Sequence, residues 1–462
     1  MAADWRPSEL QAGDLIYLNI ARAIESDICS GVLKPGDILP THRELADRLG
    51  VAIGTITKAY KEAEKKRLIV GRGRKGTFIQ RQELGESLLS REVRLWYRDY
   101  TPSYTTPYGA RMPDFSSILK KYITGLNLDP VKYWPPESHR PQHYESGVRW
   151  LKKVGLKVSP DSIVISLGNH HAILLALASE LEKGDTIVAE THTYISLNAI
   201  AGFLGIKIIG VESDAEGIIP EVFEAACKRN RIKAVYCQPC VQNPTNTSML
   251  RNRREDIVRI AQKYGVVIIE DEVLRPLIDN PPPLLKSLAP DNCYLLASPS
   301  KIVCPGLKIG YIVPPSPSMT RLVNKLRASI GFTGGLPSEV FGQMLRDGAL
   351  DRYLAECKRE AVIRQKIARK YLPPKLVHSH PASYFVWLEL PDFWSAAEFA
   401  AEVNRQAIPA WPAATYAVDP EKAARAIRFN IGHSPNQAAF SESVNIIADI
   451  LKSKPDQRME AL

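Results

Sequence analysis

The chain has 462 residues, 45% hydrophobic and 24% charged, with a formal net charge of +10. This is the composition of an ordinary globular protein with material for two or three domains and a large core, and the positive balance favours a polyanionic partner. No apolar stretch is long enough for a membrane span, the N-terminus lacks a basic head followed by an apolar run, and seven cysteines stand without a disulfide framework, so a reducing cytoplasm and no membrane are expected.

Tyr17, Ala21, Ile24 and Ile28 recur at helical spacing, and Gly31 stops that helix before the turn Lys34-Pro-Gly-Asp37. Thr41, with Glu44 three residues later, predicts a capping box at the head of a second helix, His42 to Leu49, which ends at Gly50. A third helix is predicted from Ile53 to Lys65. Two helices joined by a short glycine-containing turn are a helix-turn-helix signal. Val70 to Ile79 then reads as a two-stranded wing with a basic, glycine-rich tip. Lys58, Lys61, Lys65, Lys66, Arg67, Arg72, Arg74 and Lys75 face only Glu62 and Glu64 in this stretch, the electrostatic footprint of a phosphate-backbone binder.

Residues 81 to 111 show no clean periodicity. Their Trp96, Tyr97, Tyr100 and Tyr104 suggest a tether with a docking segment rather than a disordered linker. From Asp114 onward, short apolar runs alternate with helical patterns. The runs are Ser162 to Ser166, Thr186 to Ala189, Ile208 to Val211, Lys233 to Cys237, Val266 to Glu270 and Tyr294 to Ser298. Helices are predicted between them, from His171 to Glu182, Pro220 to Lys228 and Glu255 to Tyr264. This alternation implies a mostly parallel sheet, in which ligands sit beyond the carboxyl ends of the strands.

The chemistry-bearing residues fall at those ends. Gly168-Asn169-His170 opens a helix and offers backbone N–H groups to a phosphate. Tyr194 is either core or a ring that stacks on a cofactor. Asn243-Pro-Thr245 is a turn of low specificity. Asp271 either caps a helix or pairs with a pyridinium nitrogen. Lys301 lies between the core runs Tyr294 to Ala297 and Ile309 to Val313, where a desolvated lysine is a nucleophile suited to Schiff bases. Ser298, Ser300 and Lys308 flank it where they could hold a phosphate. Cys237-Gln-Pro-Cys240 has no second ligand pair, and Asn169-His-His lacks helical ligand spacing, so no metal is expected.

Two resemblances follow. Gly31 to Asp37, Leu39-Pro-Thr-His-Arg-Glu-Leu-Ala46, Leu49-Gly-Val51 and Gly73-Arg-Lys-Gly-Thr-Phe78 resemble the GntR family of bacterial winged helix-turn-helix regulators. That resemblance implies DNA contacts by Arg43 and Thr55, with Arg72, Gly73, Arg74, Lys75 and Gly76 at the wing. Ala52-Ile53-Gly54 departs from the Ser/Thr and Arg usual at the head of the recognition helix.

The order Gly168, Tyr194, Asn243-Pro-Thr, Asp271, Ser-x-Ser-Lys301, Lys308, Arg428 resembles fold-type I aminotransferases, which bind pyridoxal phosphate (PLP). The resemblance implies that Lys301 forms the Schiff base, Asp271 faces the pyridine nitrogen, Asn243 faces the ring hydroxyl and Tyr194 stacks on the ring. It gives the phosphate to Ser298, Ser300, Lys308, Asn169, His170 and a neighbouring subunit's equivalent of Tyr133, and a substrate carboxylate to Arg428. Asn246, Leu274, Lys308 and Ser138 stand where the family usually has Gly, Tyr, Arg and Gly, which leaves the Schiff base plausible and puts efficient transamination in doubt.

The combination is the architecture of the MocR subfamily. It implies a winged helix-turn-helix (mostly α with a β wing) over residues 1–80, a linker over 81–111 and, over 112–462, an α/β PLP-dependent fold-type I domain with a smaller α+β subdomain. The expected protein is a cytoplasmic, head-to-tail homodimeric regulator with a double-stranded DNA operator and an amino acid or amine effector. The alternative is a functional aminotransferase carrying a DNA-binding head.

Overall fold

The computed structural model describes residues 5–7, 16–29, 32–33, 36–65, 68–71, 76–79, 120, 124, 141–303, 305–333 and 335–454. The chain divides into two compact units, residues 1–99 and 100–462. The expected linker and both of its boundaries, like Arg72 to Lys75 at the wing tip, Tyr133 and Ser138, lie outside the described residues.

In the first unit, α1 (Ile16–Cys29) is followed by β1 (Ile38–Leu39), α2 (His42–Leu49), α3 (Ile53–Lys65), β2 (Ile69–Gly71) and β3 (Thr77–Ile79). The capping box forms at the head of α2: Glu44 N donates to Thr41 Oγ1 at 3.3 Å and Thr41 N to Glu44 Oε2 at 2.8 Å. Gly50 takes the left-handed conformation that ends α2, at φ 64°. The helical periodicities converge on one core, in which Ile20 and Ile24 of α1 meet Leu45, Ile56, Ala59 and Tyr60. Tyr60 stays in that core by donating its hydroxyl to Pro40 O at 2.8 Å. The wing is a three-stranded antiparallel sheet of order β1-β3-β2. Sequence reading missed β1 because two residues carry no periodicity.

The second unit begins, among the described residues, with α4 (Pro141–Val154). It continues through β4 (Val164–Ser166), α5 (Gly168–Glu180), β5 (Thr186–Glu190), α6 (Leu197–Leu204) and β6 (Lys207–Val211). A hairpin of β7 (Ser213–Asp214) and β8 (Gly217–Ile218) leads to α7 (Pro220–Arg229), β9 (Ile232–Cys237), α8 (Arg251–Tyr264), β10 (Val267–Asp271), β11 (Cys293–Ala297) and β12 (Gly310–Val313).

Seven of these strands form one sheet, in the order β4-β12-β11-β10-β9-β5-β6. Every pairing is parallel except those of β12, which is antiparallel to both neighbours. The runs lack alternation because both faces of the sheet are covered. Ala172 and Ile173 of α5 cover one face, and Phe223 of α7 with Ile257 and Ile260 of α8 the other.

The chain then builds α9 (Met319–Ile330), α10 (Gly335–Arg346) and the long α11 (Ala349–Tyr371). A four-stranded antiparallel sheet follows, in the order β13 (Val377–His378), β14 (Phe385–Glu389), β16 (Ala426–Asn430) and β15 (Ala410–Pro412). It packs with α12 (Ala396–Arg405) and α13 (Gln437–Lys452) through Val386, Leu388, Phe399, Phe429, Phe440 and Ile447. Among the described residues, no helix is long and apolar enough to cross a membrane.

The parallel topology brings the carboxyl ends of β4, β5, β9, β10 and β11 to one edge. The antiparallel β12 enters from that same edge, so the loop from Ser298 to Ile309 arrives beside the turn from β4 into α5. Gly310 makes the approach possible: a Cβ there would lie 2.6 Å from Ser166 Oγ and 2.9 Å from the Gly168 carbonyl carbon.

Candidate functional site

At that edge lies a cavity of about 850 Å³, mouth included. Leu167, Gly168, Asn169, His170, Tyr194, Gln238, Asn243, Asp271, Val273, Leu274, Ser298, Ser300, Lys301, Lys308, Tyr384, Phe385, Arg428 and Asn430 line it. Every described residue that sequence reading singled out for cofactor or effector is in this set.

Asp271 is the last residue of β10 and is buried. Its Oδ2 accepts from Tyr236 Oη at 2.8 Å and Gln238 Nε2 at 2.9 Å, and its Oδ1 from Val273 N at 3.3 Å. Burial pushes its carboxyl up, and these donors with the Asn169 amide oppose the rise. The neighbouring acids do other work. Glu270 accepts from Leu285 N and Lys286 N at 2.8 Å each, and Glu272 from Arg254 at 3.1 Å and Arg275 at 3.4 Å. Of the three consecutive acids, only Asp271 lines the cavity.

Tyr236 and Gln238 are supports that sequence reading missed. Ala234, Tyr236 and Gln238 alternate at the end of β9, and β9 pairs with β10 through Tyr236 opposite Ile269. The period of two was the available signal, but it needs the strand order to be read.

Lys301 ends a short 3₁₀ turn, Pro299–Lys301, capped by the Ser298 hydroxyl. Its Nζ is buried. Desolvation lowers its pKa to about 7; Arg428 and Lys308 push the same way and Asp271 opposes them. Such an amine is half deprotonated at neutral pH and therefore nucleophilic. Ser298 Oγ accepts from Ser300 N at 3.2 Å and donates to Ile309 O at 2.6 Å, tying the lysine turn to the strand β12. Lys308 holds a left-handed φ of 45°, and Gly168 a φ of 77°. The Lys308 Cα comes within 3.7 Å of where a Gly168 Cβ would stand, so lysine loop and helix head form one cradle.

His170 lies in the first turn of α5, with its ring edge-on to Tyr194 at 6.4 Å between centroids. Burial and Lys308 both hold the imidazole toward its neutral form. The Asn169 side-chain amide favours the charged form of Asp271.

The Asn243 loop is fastened by Gln242. Its Nε2 donates to Glu190 Oε2 at 3.0 Å and His192 O at 2.7 Å, and its Oε1 accepts from Thr245 N at 2.8 Å. Glu190 is buried, which lifts its carboxyl to about 8. Asn246 sits at φ 67°, the left-handed conformation that explains the family's usual glycine and that asparagine tolerates. Its Nδ2 donates to His378 O at 2.9 Å and Phe385 O at 3.3 Å, tying the loop to the second sheet.

Arg428, in β16, is buried with its guanidinium 4.1 Å from the Phe385 ring centroid. Its NH1 donates to Tyr416 Oη at 2.8 Å and its NH2 to Asn430 Oδ1 at 3.0 Å. Tyr416 and Asn430 were not singled out from sequence; Asn430 stands two residues on in the same strand, on the arginine's side, and the pairing of β15 with β16 and the following turn brings Tyr416 to it. The segment before Tyr194 is bound to the Tyr416 loop, Thr193 N donating to Tyr416 O at 2.8 Å and Val418 N to Thr191 O at 2.9 Å.

In the first unit, Arg43 is exposed on α2 and Thr55 half-buried in α3. Gly76 holds a φ of 104° at the foot of the wing.

Residues 137–439 match the family described as aminotransferase class I and II, and residues 16–79 match the bacterial regulatory proteins of the gntR family. The chain belongs to the aminotransferase class I and II family. With the gntR-type helix-turn-helix ahead of the aminotransferase domain, it has the MocR arrangement. It is 29% identical over 92% of its length to the HTH-type transcriptional regulator YdeF of Bacillus subtilis, 92% of which is covered. It is 27% identical over 74% of its length to the pyridoxine biosynthesis transcriptional regulator PdxR of Corynebacterium glutamicum, 76% of which is covered. Among solved structures, an archaeal alanine:glyoxylate aminotransferase matches with a TM-score of 0.68 at 23% identity, over 78% of this chain and 94% of that one.

The residues of this aminotransferase-type cavity fit pyridoxal phosphate. The buried Asn243 Oδ1 has no hydrogen-bond partner among the described residues, as a group that awaits a ring substituent would. A buried carboxylate, a buried amine, an aromatic ring and a hydroxyl- and N–H-lined cradle surround it. Leu274, where a tyrosine is usual, is buried at the cavity wall and donates no hydrogen bond through its side chain.

Proposed function

We propose that this chain is a transcription regulator that binds duplex DNA through its helix-turn-helix unit and senses an amino acid or amine through PLP carried on Lys301. One observation carries the reading: a single cavity gathers Lys301, Asp271, Asn243, Tyr194 and Arg428 at the carboxyl edge of the sheet, in a chain whose other unit is a gntR-type DNA-binding head. When bound, PLP supplies a carbonyl for an amine and a ring that withdraws electrons.

The chain's residues then have distinct roles. Lys301 provides the anchoring amine and yields its place to an incoming one. Asp271, held by Tyr236 and Gln238, keeps a proton on the ring nitrogen. Asn243 addresses the ring hydroxyl, Tyr194 covers a ring face, and Ser298, Ser300, Lys308, His170 and the first-turn N–H groups of α5 hold the phosphate. Arg428, steadied by Tyr416 and Asn430, binds a carboxylate. The strap from Thr191 to Val418 connects the Tyr194 loop with the Arg428 support, so an effector that bridges them biases how the second sheet closes on the large sheet. The DNA-binding form is a head-to-tail homodimer presenting two heads to two half-sites.

The test is the visible and near-ultraviolet spectrum of purified protein with added PLP, beside Lys301→Ala. The expected result is a long-wavelength band in the native protein alone, shifted by amines that also change operator affinity. No band in either protein sinks the sensing role. Rapid turnover of an amino donor with an oxo acid, without specific DNA binding, makes the chain an enzyme instead.

A further inference from the structure

The recognition helix has an unusual tip. Ala52, Ile53 and Gly54 are exposed at the head of α3, and Ile53, a β-branched apolar residue, is 49% exposed. The inner face of the same helix is fully used: Ile56, Ala59, Tyr60 and Ala63 are buried. Thr57 is also engaged, its hydroxyl donating to Ile53 O at 3.0 Å and lying 3.2 Å from His42 Nδ1. The outward face therefore begins with an apolar patch and continues with Lys58 and Lys61, both exposed. Arg43 is exposed on the preceding helix.

Gly54 sharpens the point. A Cβ built there would meet nothing within 4 Å, and the residue does not adopt a left-handed φ. Glycine weakens a helix relative to alanine, so the unit's own fold gains nothing from it. A missing side chain on an outward face, in the first turn of a recognition helix, suits close approach by something outside the chain. In helix-turn-helix docking, that first turn is the part that meets base edges in the major groove. The only apolar feature on those edges is the thymine C5-methyl group.

We infer that the tip of α3 reads thymine methyl groups: Ala52 and Ile53 pack against them, Gly54 lets the helix backbone approach the base edges, and Arg43, Lys58 and Lys61 supply the flanking phosphate contacts. The operator half-site therefore carries T·A pairs under the head of α3, in place of the guanine that an arginine at this position would bind. This rests on the DNA-binding reading above.

The experiment selects duplexes from a random pool with the full-length protein, then replaces each thymine of the selected site by deoxyuridine, which removes only the methyl. The expected result is a loss of about fourfold in affinity at one or two thymines of each half-site, the worth of one buried methyl. Ile53→Ala is expected to bind the thymine and deoxyuridine sites equally at one of those positions. Gly54→Ala is expected to unfold no earlier than the native protein, yet to lose specific affinity by at least roughly fivefold, as a base mismatch does. Sequence-specific binding indifferent to every deoxyuridine overturns the methyl readout and leaves the DNA-binding reading standing. Native affinity in Gly54→Ala overturns the close approach. No sequence-specific binding at all overturns both readings.

Discussion

Replacing Lys301 by methionine is expected to stabilise the cofactor-free protein, and to do so most at low pH. The lysine has a pKa of about 7 in the folded chain against an ordinary 10.5, chiefly through desolvation, with Arg428 and Lys308 adding to it. A lysine whose folded pKa is depressed is a burden that is fully present below the folded value and vanishes above the unfolded one. At about 1.36 kcal/mol per pH unit, the full burden is about 5 kcal/mol near pH 6, falling to about 2 kcal/mol at pH 9. Methionine, one atom shorter, fills most of the same space without the charge.

The assay is denaturant unfolding of stripped native protein and Lys301→Met at pH 6 and pH 9. The transition to follow is that of the C-terminal unit, which holds Trp150, Trp387, Trp394 and Trp411, because a two-unit chain need not unfold in one step. A difference that does not change with pH, or a native protein more stable than the variant at pH 6, refutes the reasoning: the lysine would then not be a strained amine held ready for a partner.

Glu190→Gln is expected to be neutral near pH 4 and stabilising above pH 8. The buried carboxyl titrates near 8, so the penalty for charging it is absent below the ordinary glutamate range and fully present above the folded value; thermal melts across that range check the sign. Asn246→Ala is expected to cost about 2 kcal/mol, from a strained left-handed backbone and lost bonds to His378 O and Phe385 O, while Asn246→Gly loses less because it keeps the backbone relaxed; calorimetry of the pair separates the two contributions. Arg428→Gln is expected to weaken carboxylate-bearing effectors by roughly 10- to 100-fold, the worth of a charge-assisted pair, and to leave the corresponding decarboxylated amines almost unchanged, as read by spectral titration of the PLP-loaded protein.

The amino-acid order alone settled a good deal. The capping box at Thr41 and Glu44 and the span of α3 are local, set by propensity and hydrogen bonds within one turn, and they appear as read. The strand runs were legible because a sheet covered on both faces needs unbroken apolar stretches, and the acids, amides and lysine that break them mark the strand ends. Boundaries moved where a neighbour decided them: α5 begins at Gly168, three residues before the expected start, because the cradle residues themselves make its first turn.

Tertiary structure decided the rest. Nothing local says that Glu270 and Glu272 turn away from the cavity while Asp271 faces it, that Tyr236 and Gln238 hold that acid, or that Tyr416 holds Arg428. These depend on strand order and register, which bring together residues far apart in the chain. The departure at Asn246 likewise became intelligible only with its left-handed backbone in view, because side-chain identity follows from a dihedral angle that the sequence does not state.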